Sequence, residues 1–135
     1  MGAMAKILHR QKRFSIRAFG PGYSTARVID HIRKELIEVE QAPHDLEEWI
    51  DLAMLTFDGA WRSGFTAEEI VAAYVAKLEK NERRKWPDWR TADPTKAIEH
   101  VRDGTTFGEF AAKVRDYLDE REGLSKLEDA KGGAA

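Results

Sequence analysis

The strongest constraint on the fold is an apolar stripe with helical spacing that runs unbroken between residues 46 and 61. Its members recur every three or four residues: Leu46, Trp49, Ile50, Ala53, Met54, Phe57, Ala60 and Trp61. Side chains at this spacing share one face of an α-helix, whereas a half-buried strand needs alternation. Asp45 is a suitable N-cap before the stripe, and Gly64 is a suitable stop after it. The pattern therefore predicts an amphipathic helix.

Two further stripes with this spacing flank the helix. One contains Val28, Ile29, Ile32, Leu36 and Val39, and the other contains Ile70, Val71, Tyr74, Val75 and Leu78. Pro43 ends the first, because the residue before a proline is disfavoured in the helical conformation. Thr66 and Glu69 form a capping box before the second, and Pro87 ends it. We predict three main helices that run antiparallel where their connections are short.

The two ends of the chain carry weaker patterns. Before residue 22 there is only a brief alternation and a loop signal at residues 20–22. The pair Asp93 and Pro94 is expected to start a short helix that extends to Val101. Thr106 and Glu109 form another capping box. It precedes a stripe of Phe107, Phe110, Ala111, Val114 and Leu118. The overall prediction is an all-α fold with a C-terminal helical appendage and a loose tail from residue 132.

The composition excludes several classes of protein. A chain of 135 residues without cysteine can form one domain, but no disulfide framework, thiolate metal site or cysteine nucleophile. No apolar run approaches the roughly 18 residues of a membrane-spanning helix, and there is no signal-peptide pattern. We expect a cytoplasmic protein that does not bind membranes. Its expected organisation is a basic segment and loop (residues 1–22), a main helical domain (23–102) and a C-terminal helix with a tail (103–135).

Charged residues are unevenly distributed, although the net charge is only −2. Residues 1–34 contain eight Lys or Arg residues and one acid, whereas residues 35–58 contain eight acids and neither Lys nor Arg. An acidic stretch without local basic partners either faces water or binds a cation. The small negative net charge gives no reason to expect stable binding to nucleic acid.

Four carboxylates within this acidic stretch are spaced so that they can meet. Glu35 and Glu38 are three residues apart on one predicted helix, so they are neighbours on its surface. Glu48 and Asp51 have the same spacing on the next helix. A short connection makes the two helices antiparallel neighbours, and both pairs can then point to one spot. Hard oxygen ligands in this number suit Mg²⁺ or Mn²⁺, which often bind substrate phosphate as well.

The third predicted helix carries a complementary basic face. Lys77, Asn81 and Arg84 share one side of it, and Lys80 lies at its edge. Cations and an amide opposite a carboxylate cluster can hold a metal-bridged polyphosphate. Each feature alone is more typical of a solvated helix face, and Glu48 can simply complete a capping box with Asp45. Only their joint occurrence on three helices favours catalysis.

Two other kinds of site are absent from the sequence. A ferritin-like di-iron centre needs Glu-x-x-His pairs, and no histidine of this chain follows a glutamate at that spacing. Gly20 and Gly22 form a Gly-x-Gly element that leads into no P-loop lysine, which excludes a Walker-type phosphate site.

Together these motifs resemble the MazG-like all-α nucleoside triphosphate pyrophosphohydrolase superfamily. Within it, they are similar to the phage and bacterial dATP/dGTP diphosphohydrolase (MazZ-type) branch. The three helix motifs of that superfamily correspond to residues 35–38, 48–51 and 77–84. Wider segments carry the similarity to the branch: residues 19–22, 28–36, 45–51, 58–62, 80–90 and 96–102.

The resemblance implies a MazG-like helical bundle completed by oligomerisation, as a dimer or a dimer of dimers. It implies an enzyme that converts dGTP and dATP to the monophosphate and pyrophosphate. The metal ligands for Mg²⁺ or Mn²⁺ would be Glu35, Glu38, Glu48 and Asp51, and one of them would orient or deprotonate the attacking water. The phosphate-binding residues would be Lys77, Lys80, Asn81 and Arg84. In phages of this branch, dGMP can supply synthesis of 2-aminoadenine nucleotides while dATP is removed.

The base contact and the exact function leave alternatives open. Candidate base contacts are Phe19 with its loop, Ile29, and Trp61 or Trp86. A related alternative is a house-cleaning pyrophosphatase that acts on dUTP or non-standard nucleotides. A different one is a non-catalytic helical adaptor, which would dock a partner through its basic N-terminal segment and residues 86–90.

Overall fold

The protein is all-α in the part of the chain that the structure describes. The structure is a computed structural model; it describes residues 1–102 and 107–132, and these ranges contain no strand. The helices are α1 (Ala3–Phe19), α2 (Thr25–Gln41), α3 (Leu46–Arg62), α4 (Ala67–Arg83), a 3₁₀ helix (Trp89–Thr91) and α5 (Phe107–Gly132). None of the helices in these ranges has the length and apolarity needed to cross a lipid bilayer.

The chain divides into two compact units, one up to Val71 and one from Ala72 onward. The first unit contains α1, α2, α3 and the first residues of α4. The second contains the remainder of α4, the 3₁₀ helix and α5.

Helices α2 and α3 of the first unit pack against each other in antiparallel orientation. At one end, Val28 near the start of α2 lies beside Gly59 near the end of α3. A Cβ atom added to Gly59 would lie 3.3 Å from a methyl group of Val28. Asp45 caps α3 as predicted, since its carboxylate accepts a hydrogen bond from the N–H of Glu47 at 2.9 Å. Gly64, with a φ of +100°, follows the end of α3 and confirms the predicted stop.

The apolar stripes of α2 and α3 are buried only in part. Val28 of α2 is buried, but Leu36 is 45% exposed. Leu46 at the start of α3 is 72% exposed, and Trp49 and Ile50 are about half exposed. The stripe of α3 therefore enters the core only in its later turns.

Helix α1 occupies residues that were predicted to form a basic segment and loop. Its apolar side joins a buried cluster of Ala5, Leu8, Ala67 and Ile70. It also makes polar contacts to α3: Gln11 donates to the carbonyl of Met54 at 2.7 Å, and the buried Ser15 accepts from Arg62 at 2.9 Å. Polar residues at these positions interrupt the apolar stripe, so hydrophobic spacing did not predict this helix.

The capping box predicted before α4 is present. The N–H of Thr66 donates to the carboxylate of Glu69 at 2.8 Å, and the N–H of Glu69 donates to the Thr66 hydroxyl at 3.1 Å. Beside it, Glu68 lies 2.9 Å from His9 of α1, and this hydrogen bond lowers the pKa of Glu68. The start of α4 is therefore fixed both locally and against α1.

The predicted helix that starts at Asp93 is wrong. Asp93 accepts hydrogen bonds from the N–H and the hydroxyl of Thr95, but residues 97–102, which follow this turn, are not helical. The N–H of Val101 instead donates to the carbonyl of Lys85 at 3.0 Å. This hydrogen bond to the segment after α4 keeps Val101 out of a helix, and the sequence near Asp93 does not reveal it.

Helix α5 confirms the predicted C-terminal helix. It begins at Phe107, the first residue of the predicted stripe, and extends to Gly132, which was assigned to a loose tail. Thr106 of the predicted capping box and residues 133–135 of that tail lie outside the described residues.

Candidate metal centre and adjoining cavity

Three of the four predicted carboxylates come together where α2 ends and α3 begins. Glu35, Glu38 and Glu48 each offer a carboxylate oxygen, and these oxygens all lie within 4.8 Å of one another. The first two are neighbours on α2 because of their three-residue spacing, and the short connection after Gln41 brings the first turn of α3 beside them. We call these three residues the carboxylate group.

Glu35 is the buried member of the carboxylate group, with only 7% of its surface exposed. One of its oxygens lies 3.0 Å from Nε2 of His31, one turn earlier on α2. The other oxygen is buried and has no hydrogen-bond partner among the described residues. An unpartnered, buried carboxylate oxygen is unfavourable unless a cation or donor approaches it. The donor set, which consists of hard oxygens only, fits Mg²⁺ or Mn²⁺.

Glu48 responds to its position in this group. The pKa of Glu48 is raised, and partial burial is the largest cause. The next causes are the negative charge of Glu38 and a side-chain hydrogen bond between Glu48 and Glu38. Asp45 and Glu35 raise this pKa further by charge repulsion. Like charges are thus concentrated here, which is the electrostatic condition that a bound cation relieves.

A cavity of about 270 Å³ adjoins the carboxylate group, because Glu35 belongs to both. Helices α1, α2 and α3 supply its lining: Gln11, Phe14, Ser15, Phe19, His31, Glu35, Asp51, Met54, Leu55 and Asp58. Asp51, the fourth predicted metal ligand, thus lines the cavity. The other three predicted ligands form the carboxylate group. The ring of Phe19 meets Phe14 at 6.3 Å and His31 at 6.4 Å, both edge-on. The lining of the cavity therefore combines aromatic rings with the carboxylates of Glu35, Asp51 and Asp58.

Three of the four predicted base contacts belong to the first unit, and they occupy different positions. Phe19 lines the cavity. Ile29 is 40% exposed on α2 and is not among the described residues that line it. Trp61 packs against the buried cluster of α1 and α4, and Lys12 and Arg62 lie against its ring.

The predicted phosphate-binding residues all belong to the second unit. Lys77, Lys80 and Asn81 lie on α4, and Arg84 follows its last residue. The side-chain oxygen of Asn81 accepts from Arg84 at 2.9 Å. The ammonium of Lys80 lies 5.9 Å from the ring of Phe110.

Two features of the site were missed although their spacing is visible in the sequence. His31 precedes Glu35 by four residues, and Asp58 precedes Arg62 by four, so each pair shares a helix face. The histidines enter the sequence predictions only as metal ligands, and Asp58 is not paired there with a basic residue. A search for i,i+4 pairs of opposite charge would have found the buried bridge between Asp58 and Arg62, at 2.8 Å.

Comparison with known proteins places this geometry in a family. The chain is similar to the Eaa protein of Salmonella phage P22, with 38% identity over 52 residues. That stretch is 38% of this chain and 16% of the phage protein, so the chain covers less than a fifth of its relative. No solved structure matches the chain significantly. The family model described as dATP/dGTP pyrophosphohydrolase matches residues 7–104, which include the carboxylate group and the cavity. The chain therefore belongs to the dATP/dGTP pyrophosphohydrolase family, whose activity is hydrolysis of a phosphoric anhydride bond.

Proposed function

We propose that this chain hydrolyses dGTP and dATP to the nucleoside monophosphate and pyrophosphate. In this reaction, water adds across the anhydride bond between the α- and β-phosphates. The observation that carries the proposal is the position of Glu35, which belongs both to the carboxylate group and to the aromatic cavity. The triphosphate of a bound nucleotide would lie at the carboxylate group, and its nucleoside would lie in the adjoining cavity.

Glu35, Glu38 and Glu48 would hold Mg²⁺ or Mn²⁺. When bound, the ion neutralises charge on the phosphates and makes water more acidic. His31 orients Glu35 through one oxygen and leaves the other free to face a cation. Asp51 lies at the cavity beside this group, so we assign it the positioning or deprotonation of the attacking water.

The base and sugar would bind in the cavity. Its three rings, Phe14, Phe19 and His31, offer aromatic contacts to a purine, and Gln11 offers a polar one. The amide NH₂ of Gln11 must face the carbonyl of Met54, because that carbonyl can only accept. Of the predicted base contacts, Phe19 is therefore the one we retain, and Ile29 and Trp61 are secondary.

Lys77, Lys80, Asn81 and Arg84 would bind the phosphates. An arginine side chain only donates hydrogen bonds, so the contact with Arg84 fixes the Asn81 amide with its oxygen towards Arg84 and its NH₂ free to donate. The Nε of Arg84 is buried and has no hydrogen-bond partner among the described residues. Both observations leave donors for an anionic ligand.

We further propose a homo-oligomer, a dimer or a tetramer, and a role in the nucleotide pool of a phage. Large apolar side chains on α2 and α3 support the oligomer, because Ile37 is 53% and Leu46 is 72% exposed. The similarity to a protein of phage P22 supports the phage role. In such a role, the enzyme would supply dGMP for 2-aminoadenine synthesis and remove dATP.

The test is incubation of the purified chain with dGTP, dATP, dCTP, dTTP and dUTP in the presence of Mn²⁺. Products are separated by ion-exchange chromatography. We expect pyrophosphate and monophosphate from dGTP and dATP, and a loss of at least about 100-fold in kcat for Glu38→Gln. Glu40→Gln, the same change at an exposed position on the same helix, is the control and should retain activity. Preference for dUTP would favour the house-cleaning alternative, and absence of turnover with unimpaired folding would favour the adaptor.

A further inference from the structure

Arg62 makes more hydrogen bonds than a structural ion pair requires. Its side chain is 4% exposed, and its Nε donates to the carboxylate of Asp58 at 2.8 Å. One terminal nitrogen donates to the Ser15 hydroxyl at 2.9 Å. The other donates to two backbone carbonyls, those of Gly20 at 3.1 Å and Gly22 at 2.9 Å. One guanidinium thus connects α3 with α1 and with the loop between α1 and α2.

The loop that receives these bonds has an unusual backbone. Gly20 and Gly22 have φ values of +81° and +104°, a region that glycine adopts without steric cost. A third carbonyl of this segment also accepts from an arginine, since Arg27 donates to the carbonyl of Phe19 at 3.0 Å. Without these donors, carbonyls that turn towards the protein would lose their partners. Arg62 therefore fixes the conformation of the loop as well as the position of α3.

We infer that Arg62 is a positioning residue for the nucleoside-binding cavity. By holding the loop, it sets the place of Phe19, whose ring contacts His31, and His31 in turn contacts Glu35 of the carboxylate group. Arg62 itself is not among the residues that line the cavity in the described part of the chain. It acts on substrate binding through the loop and through Asp58, which does line the cavity. This inference rests on the proposed function.

The test compares Asp58→Asn with the double variant Asp58→Asn/Arg62→Met. Arg62→Met alone would leave a buried carboxylate unpaired and would be strongly destabilising. Asp58→Asn leaves the buried Arg62 cation without its carboxylate, so the stability of this reference variant is measured first. Both variants carry the same neutral amide at position 58, so their difference reports the hydrogen bonds of Arg62 to the loop, to Ser15 and to position 58. We expect KM for dGTP to rise about tenfold in the double variant relative to Asp58→Asn, with kcat changed less than about threefold, because binding is lost and chemistry is not. Leu8→Ala, which destabilises the core cluster away from the loop, should leave KM unchanged.

Hydrogen exchange of residues 19–24, measured by mass spectrometry, gives a second readout that needs no activity. We expect faster exchange in the double variant than in Asp58→Asn. Unchanged exchange, or faster exchange with unchanged KM, would overturn the inference. If the double variant does not fold, Arg62→Lys decides instead, because a lysine reaches fewer acceptors and should raise KM about two- to threefold; an unchanged KM again overturns it. Absence of dGTP hydrolysis in the unmodified chain refutes the proposed function, and the inference with it, even where exchange in the loop becomes faster.

Discussion

Glu35→Gln should make the protein more stable without metal and less stable with it. Glu35 is buried in the carboxylate group, where one oxygen contacts His31 and the other has no partner among the described residues. Glutamine has the same shape, and its amide oxygen can still accept from His31. Its NH₂ can donate to the neighbouring carboxylates. The substitution therefore removes the charge while it keeps the packing.

The size of the metal-free effect follows from the charge separation. The oxygens of Glu35 and Glu38 lie within 4.8 Å, where two unit charges repel by about 0.9 kcal/mol in water and about 3.5 kcal/mol at an effective dielectric of 20. Glu35 is buried but Glu38 is exposed, so solvent screens this repulsion and we take the value in water as its lower limit. We expect Glu35→Gln to stabilise the metal-free protein by about 1 kcal/mol, or roughly 4 °C in Tm for a chain of this length.

With bound metal, we expect the unmodified chain to be more stable than Glu35→Gln. A ligand at 100 times its Kd stabilises the native state by about 2.7 kcal/mol, which corresponds to roughly 10 °C here. The unmodified chain should show a shift of this size with saturating Mn²⁺, and Glu35→Gln should show less than about a third of it. Differential scanning fluorimetry with EDTA or Mn²⁺ measures both values. Glu40→Gln is the matched control, because it removes one exposed charge from the same helix outside the carboxylate group. An equal Mn²⁺ shift in Glu35→Gln and the unmodified chain would refute the assignment of Glu35 as a ligand.

Two further predictions concern the packing and charge of the first unit. Gly59→Leu should cost about 1–3 kcal/mol, because even a Cβ at this position would lie 3.3 Å from Val28; an unchanged urea midpoint would show that α2 yields to the larger side chain. Glu68→Gln should lower stability near neutral pH by at most about 1 kcal/mol, since Glu68 and its partner His9 are both partly exposed. The pKa of Glu68 is lowered from 4.5, so this contribution is present above that value and is lost as the pH falls through the folded-state pKa. Urea unfolding of both chains across this range should converge at acid pH, and divergence there would contradict the prediction.

The sequence predicted those features whose physical causes are local. Asp45 and Thr66 cap helices through hydrogen bonds to residues two and three positions away, so the starts of α3 and α4 were visible in the sequence. The carboxylate group was also predictable, because helical spacing and a short connection determine it. The missed features depend on distant residues. Ser15 is buried and accepts a hydrogen bond from Arg62, 47 residues later, and no pattern within α1 signals that contact.

The distribution of cations within the first unit is the strongest physical argument for an external metal ion. Arg62 is a buried cation, and it donates its hydrogen bonds to Asp58 and to the loop carbonyls of Gly20 and Gly22. Among the described residues, no lysine or arginine forms an ion pair with the carboxylate group, and Glu35 has only His31 beside it. A fold that needed these acids only for stability would gain from a basic residue within reach, since an unpaired buried carboxylate is costly. Three acids converge without a lysine or arginine partner in the described part of the chain, beside a cavity lined by aromatic rings. This arrangement supports the proposed binding of a divalent ion together with a nucleotide.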